Sequence, residues 1–248
     1  LDKVYEISEA LKVNTSIQKF EYYPVAWSYP FPDRSVELMR TRTGLNTFKA
    51  ITQGSFNVCD NLATIVRSNN LFVKRLSIPL PPCLQGEFLD ALVTNRTLKT
   101  VDITGGVVNG ENYQLITRLF QENSTLRKFR ARNSLVLNVG NPKTHAIFDA
   151  IGSNTSIKHL DFLGNITRVE VETFYAFVRL FRVNRTVKYL HINLPYQSTY
   201  PDDIAVNFSL LEFNTSNYCY DQSIKKITDR NNHNRALRKA SLSSLFLI

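Results

Sequence analysis

Two hydrophobic rhythms alternate along the chain. Apolar residues recur three and four positions apart, then a polar step intervenes, then they recur every second or third position. The first rhythm matches one face of an α-helix and the second an inward-facing β-strand. The clearest instance is ALVTNRTLKTVDI, from Ala91 to Ile103. It predicts a helix end, an Asn, a Ser/Thr-rich step, and a strand whose Leu98, Val101 and Ile103 point inward. The same arrangement returns in ALKVNTSIQKFEY, LFQENSTLRKFRA, AIGSNTSIKHLDF and LFRVNRTVKYLHI. Weaker copies are IVRSNNLFVKRLSI, LMRTRTGLNTFKA (Arg42 in place of Asn) and LLEFNTSNYCYDQ (Asn217 in place of the first apolar residue). The anchor positions are then 14, 42, 70, 95, 123, 154, 184 and 214, spaced 25 to 31 residues apart. A period of that length marks a solenoid of stacked strand–helix units.

The same reading places the individual elements. A first helix over 3–13 presents Val4, Ile7 and Leu11, and one over 57–68 presents Val58, Leu62, Ile65 and Val66. The next carries Phe88, Leu89 and Leu92, and the helix at 111–122 carries Leu115, Ile116 and Leu119. Pro142 opens a further helix, at a position where a missing N–H does no harm. The helix at 168–182 shows Val171, Phe174, Val178 and Phe181 at helical spacing, and the last strand is expected near 218–221. The Asn at each helix exit is expected to take the left-handed conformation and to bond nearby backbone. The aromatic crossing YYPVAWSYPFPD, with Trp27, is expected to cover an end or the convex side. The charged segment after Gln222 is expected to form a polar capping helix.

At these repeats the chain resembles the ribonuclease-inhibitor-like leucine-rich repeat family, which includes tropomodulin- and CARMIL-type repeat domains. The resemblance implies an α/β solenoid, a horseshoe of about eight repeats, with parallel strands on the concave face and helices on the convex face. It implies one domain spanning 1–248 with helical N-terminal and C-terminal caps. It also implies a protein partner, with actin as one such partner. Many members carry an Asn or Cys a few residues after each strand. The counterparts here are Pro81, Gly106, Ser134 and Pro195, with only Asn165 matching.

Composition narrows this picture. The 248 residues are 43% hydrophobic, enough for a continuous core, and no run approaches the roughly 20 apolar residues of a membrane helix. The charged, amphipathic N-terminal stretch does not read as a secretory signal. Cys59, Cys83 and Cys219 are odd in number, far apart and without a CxxC pair, which argues against a disulfide framework or zinc site and for a reducing, cytoplasmic setting. N-x-[ST] triplets occur at Asn14, Asn95, Asn123, Asn154, Asn184 and Asn214, and again at Asn165 and Asn207. Six of them coincide with the repeat anchors, so the repeat rather than glycosylation is expected to demand them.

The net charge of +9 admits an acidic partner, although the basic residues are spread over the repeats. Strand residues between the apolar anchors should face the concave surface. The candidate partner-binding set is Arg75, Lys128, Arg130, His159, Asp161, Tyr189 and His191, which combines guanidinium, imidazole and phenol groups suited to directed contacts. His159, Asp161 and His191 also invite a metal or catalytic reading. No further ligand or nucleophile stands beside them in sequence unless Cys219 joins from the next strand, and HExxH, CxxC and G-x-S-x-G are absent. The expectation is therefore a non-enzymatic interaction scaffold with no catalytic residue, metal or cofactor. The alternatives are an actin regulator or a basic solenoid that binds RNA or anionic lipid, the latter suggested by the Arg127, Lys128, Arg130 and Arg132 cluster.

Overall fold

The computed structural model describes residues 6, 9–10, 13–14, 16–22, 39–41, 44–50, 61–79, 85–104, 112–132, 142–162, 171–192, 212–214 and 228–236. The strands are β1 (Lys19–Tyr22), β2 (Thr47–Ala50), β3 (Arg75–Pro79), β4 (Thr100–Thr104), β5 (Lys128–Arg132), β6 (His159–Phe162), β7 (Tyr189–Ile192) and β8 (Glu212–Asn214). They form one sheet in which each strand pairs in parallel with the next in sequence. The helices between them are α1 (Asn61–Arg67), α2 (Gln85–Thr94), α3 (Asn112–Glu122), α4 (Pro142–Ser153) and α5 (Val171–Val183). Consecutive helices pack side by side. Strands in a sheet stand about 4.8 Å apart, whereas packed helices need 8–10 Å. A stack of such units must therefore curve with its sheet on the inside.

Register explains why the strand pattern recurs. Phe20, Phe48, Leu76, Val101, Phe129, Leu160, Leu190 and Phe213 lie level across the sheet. The described members of this row from Phe48 to Leu190 are buried, while Phe20 is partly buried against the core. The helices meet the row with Leu62, Val66, Phe88, Leu89, Leu92, Ile116, Leu119, Ile147, Phe148 and Ile151. Phe120 lies edge-on to Phe129 and Phe162, at centroid distances of 5.6 and 6.3 Å. Aromatic edges against faces add attraction beyond the area buried.

Between helix and strand sits a ladder of buried carboxamides. The Asn95 Nδ2 donates to the Val66 carbonyl (2.6 Å), and its Oδ1 accepts from the Thr97 and Leu98 N–H groups. Asn123 Nδ2 donates to Leu92 and Asn95 carbonyls, Asn154 to Phe120 and Asn123, and Asn184 to Ile151 and Asn154. Each Oδ1 again accepts from the N–H groups two and three residues on. The hydroxyls of Thr125, Ser156 and Thr186 complete each rung by donating to the Asn carbonyl of the preceding repeat. Helix C-termini leave four carbonyls without intrahelical donors, and here the next repeat supplies the donors. Arg96 and Arg185 add guanidinium caps, to Val93 and Phe181 carbonyls.

This ladder accounts for the N-x-[ST] triplets. The amide nitrogen that a glycan would require is hydrogen-bonded in four of them, with Asn95, Asn123, Asn154 and Asn184 all buried. It also corrects the reason given for Asn. Among the described residues the one non-glycine residue with positive φ is Asn69 (57°), not an anchor Asn. The anchors are selected for their paired donor and acceptor. In the weak third copy Asn70 is exposed, and Asn69 makes the turn, donating to the Arg67 and Thr94 carbonyls.

Other expectations shift. Asn214 is the last residue of β8, level with His191, so the final described strand is Glu212–Asn214; the segment proposed at 218–221 lies outside the described residues. Among the described side chains of α5, Ala176, Phe177, Leu180 and Phe181 are buried and Tyr175 is exposed. Of the four positions expected inward there, only Phe181 falls among the described side chains. In α3, Tyr113 and Phe120 join Ile116 and Leu119, while Leu115 is only partly buried. Residues 228–236 are helical, within the segment expected to cap. Trp27, the three cysteines, Asn165 and Asn207 lie outside the described residues.

Replacing Asn154 with Ala takes the side-chain partner from the Phe120 carbonyl and from two N–H groups in a buried position, and leaves the Asn123 carbonyl only the Ser156 hydroxyl. Leaving even one such group unsatisfied costs about 1–3 kcal/mol, so Asn154→Ala should destabilise by about 3 kcal/mol or more. Among the bonds described for the Asn14 side chain, all run to its own Ser16 and Ile17. Asn14→Ala should accordingly cost about 1 kcal/mol or less. Urea unfolding of both variants checks the contrast; equal losses would remove the ladder from its central role.

Candidate functional site

The alternation that buries the apolar row sends its neighbours to the inner surface of the curve. Two level rows result. One runs Lys19, Thr47, Arg75, Thr100, Lys128, His159, Tyr189 and Glu212; the other runs Glu21, Lys49, Ser77, Asp102, Arg130, Asp161, His191 and Asn214. All seven residues expected on the concave face are in these rows. Lys128, Arg130, His159, Asp161, Tyr189 and His191 occupy the contiguous strands β5 to β7. Arg75 is exposed on β3, with β4 between it and that group.

The second row alternates in charge. Arg130 lies between Asp102 on β4 (Nη1–Oδ2, 3.4 Å) and Asp161 on β6 (Nε–Oδ2, 3.7 Å). His191 Nδ1 approaches the same Asp161 oxygen from β7 at 3.6 Å. Opposite charges level with one another across neighbouring strands stabilise a sheet. Asp161 is fully buried. A buried carboxylate is tolerated only beside compensating groups, and Arg130 and His191 are those groups. Any contribution of Asp161 to binding a macromolecule therefore passes through the two side chains it holds. At the other end of the row, Lys19 and Lys49 lie against Glu21 at 2.9 and 3.7 Å. Lys19, Lys49 and Arg130 on this face are thus each paired with a carboxylate.

The first row is aromatic at its end. The His159 and Tyr189 rings stack with centroids 5.5 Å apart and planes 28° from parallel. His159 also meets the His191 ring edge-on at 5.5 Å. Burial, reinforced by the nearby Lys128 and Arg130 cations and by His191, pulls the His159 pKa down to about 4, against a smaller opposing pull from Asp161. The ring is neutral near pH 7. β6 offers an imidazole nitrogen and a carboxylate and β7 a second imidazole: nitrogens of His159 and His191 and an Asp161 oxygen lie within 4.8 Å of one another. The repeat pattern already grouped these three residues, 32 positions apart at the two histidines, and strand register brings them together.

Arg127 departs from the basic cluster, as its position on the opposite side of the alternation requires. Its Nη1 donates to the Ser156 carbonyl and ties one repeat to the next. On the helical side a recess of about 510 Å³ opens between α3 and α4, lined by Tyr113, Gln114, Thr117, Arg118, Pro142, Lys143 and Ala146. Its lining includes two hydroxyl residues and two cations but no histidine or carboxylate to act as base.

Eight parallel strands, stacked helices and an inter-repeat Asn ladder define an α/β solenoid of leucine-rich-repeat type. No protein-family model matches the chain, and none of the curated proteins matches it. Among solved structures, the tropomodulin C-terminal domain of Caenorhabditis elegans is similar in fold: 11% identity, covering 72% of this chain and 96% of that one, with a TM-score of 0.49. Leiomodin-1 actin-binding site 2 is similar at 13% identity, covering 75% of this chain and 98% of that one, also with a TM-score of 0.49. No described helix is long and apolar enough to cross a membrane.

The His159 environment has a pH consequence. The folded chain binds this proton less readily than the unfolded chain, whose imidazole keeps the ordinary pKa of 6.5. Stability from this group is fully present above pH 6.5 and is lost as pH falls toward 4, levelling off below. His159→Gln should lose less stability than wild type between pH 7 and 4.5, as read from urea midpoints. Parallel losses would show that the imidazole is not the group being forced to charge.

Proposed function

We propose that the protein is a non-enzymatic interaction scaffold that takes a protein partner on its concave face. The observation that carries this reading is the contiguous group of Lys128, Arg130, His159, Tyr189 and His191, held in two level rows by a buried carboxylate. Its side chains are partly accessible and are fixed by strand register. Pre-positioned groups of this kind lose little freedom on binding, and Arg and Tyr combine contact area with directed hydrogen bonds. Arg75 extends the same surface toward the N-terminal strands. A partner with acidic groups complements Lys128 and Arg75. Such a scaffold works in the cytoplasm, as a single domain of stacked repeats.

Actin is the first named partner to try. The repeat style and the helical segment near the C-terminus motivate it, and in leiomodin-1 a segment of similar fold is an actin-binding site. RNA and anionic lipid form the competing reading, which the pairing of Arg130 with Asp102 and Asp161 weakens.

The test is affinity capture from lysate at low and high salt, with purified actin co-sedimentation alongside. Wild type runs beside a folded variant carrying Lys128→Ala, Arg130→Ala, Tyr189→Ala and His191→Ala. A protein retained at both salts and lost from the variant is the expected result. Capture of nucleic acid or vesicles at low salt alone would favour the electrostatic reading. Protein capture that the variant leaves unchanged would remove the concave face from the mechanism.

A further inference from the structure

We propose that His159, Asp161 and His191 form a binding site for a divalent transition-metal ion. The three side chains come from two adjacent strands. His159 and Asp161 are two residues apart on β6, so both point to the inner face, and His191 is level with Asp161 on β7. Two imidazoles and one carboxylate are a donor set suited to zinc and its first-row neighbours.

The geometry needs little adjustment. Ligand atoms around a tetrahedral zinc with bonds of about 2.0–2.1 Å stand about 3.3 Å apart. Here all three lie within 4.8 Å of one another, and His191 Nδ1 is already 3.6 Å from Asp161 Oδ2. Metal binding requires the remaining separation to close by side-chain rotation. His159 Nε2 is buried and has no hydrogen-bond partner among the described residues, so metal ligation would supply one. Asp161 is buried as well, which keeps bulk water from competing for its oxygens.

The opposing force is Arg130, whose Nε lies 3.7 Å from the same Asp161 oxygen. A metal and a guanidinium cannot share that oxygen without repulsion. Arg130 has a second carboxylate, Asp102, at 3.4 Å, to which it can remain attached when the metal takes Asp161. The site is therefore a competition between an internal cation and an external one. Three protein ligands leave a further coordination position directed at the concave surface, open to water or to a donor from a bound molecule. Metal binding itself requires no partner and stands apart from the scaffold reading.

Equilibrium dialysis of the purified chain against zinc, with cobalt substitution read by visible absorption, tests the assignment. Wild type is expected to bind one zinc per chain, and cobalt is expected to give the intense visible bands of a four-coordinate site. His159→Gln and His191→Gln, checked for folding by circular dichroism, should each weaken binding by about tenfold or more. Arg130→Gln should tighten it, a gain that general damage to the fold would not produce. No zinc bound by wild type would overturn the proposal. Binding that survives both histidine substitutions together would do the same and direct attention to the cysteines. An affinity unchanged in Arg130→Gln would remove Asp161 as the third ligand.

Discussion

The buried carboxamide at each helix exit is the constraint on which the solenoid depends. A helix that ends against a neighbouring repeat leaves carbonyls where water cannot reach them. The Asn of the following repeat reaches back with its amide to those carbonyls and forward with its oxygen to the first N–H groups of its own strand segment. One side chain thereby closes both ends of the helix-to-strand turn and fixes the distance between repeats. No other residue type offers two donors and an acceptor on so short a stem. Asp would accept but not donate, and Gln would place the same groups one methylene too far. The hydroxyl two residues later adds a second bond to the same preceding Asn carbonyl. A motif that elsewhere reads as a glycosylation signal is here an inter-repeat clamp.

Because the ladder holds each repeat at a set height, side chains of successive strands lie level, and the inner face becomes a grid. Chemistry on that grid is decided by columns of neighbours. Asp102, Arg130, Asp161 and His191 form one line in which each group is next to a complementary one. Asp161 is the pivot, since it is buried and two partners converge on one of its oxygens. The accessible groups around it owe their positions to this hidden carboxylate. The binding reading and the metal reading both draw on that arrangement, one through the side chains Asp161 orients and the other through Asp161 itself.

Much of this was legible from residue order. Leu98, Val101 and Ile103 announce their inward positions through spacing, and the structure buries all three. The strand residues between them were assignable to the opposite face by alternation alone. The misses have identifiable causes. In α5 the expected Phe181 is buried, and Ala176, Phe177 and Leu180 join it from positions the three-and-four spacing passed over. Asn214 has the right neighbours for an anchor but ends a strand, because an Asn-Thr-Ser triplet does not reveal whether a helix has just ended. The left-handed turn was assigned to the anchors from Asn's general preference, whereas only Asn69 adopts it among the described residues.

Periodicity by itself determined the architecture: the repeat, its helix–strand order and the apolar row. These depend on the local spacing of side chains along one chain segment, and that spacing is written directly in residue order. The tertiary structure alone decided how closely level residues of different repeats approach and how deeply each is buried. Repeat lengths vary from 25 to 31 residues, yet β1 to β7 each begin five residues after their anchor, so the level rows themselves follow from the motif. Register places His191 beside Asp161 and Arg130 between two carboxylates, and burial makes Asp161 a pivot rather than a surface charge. Those are consequences of stacking, in which hydrogen bonds between strands and the Asn ladder between repeats set the alignment.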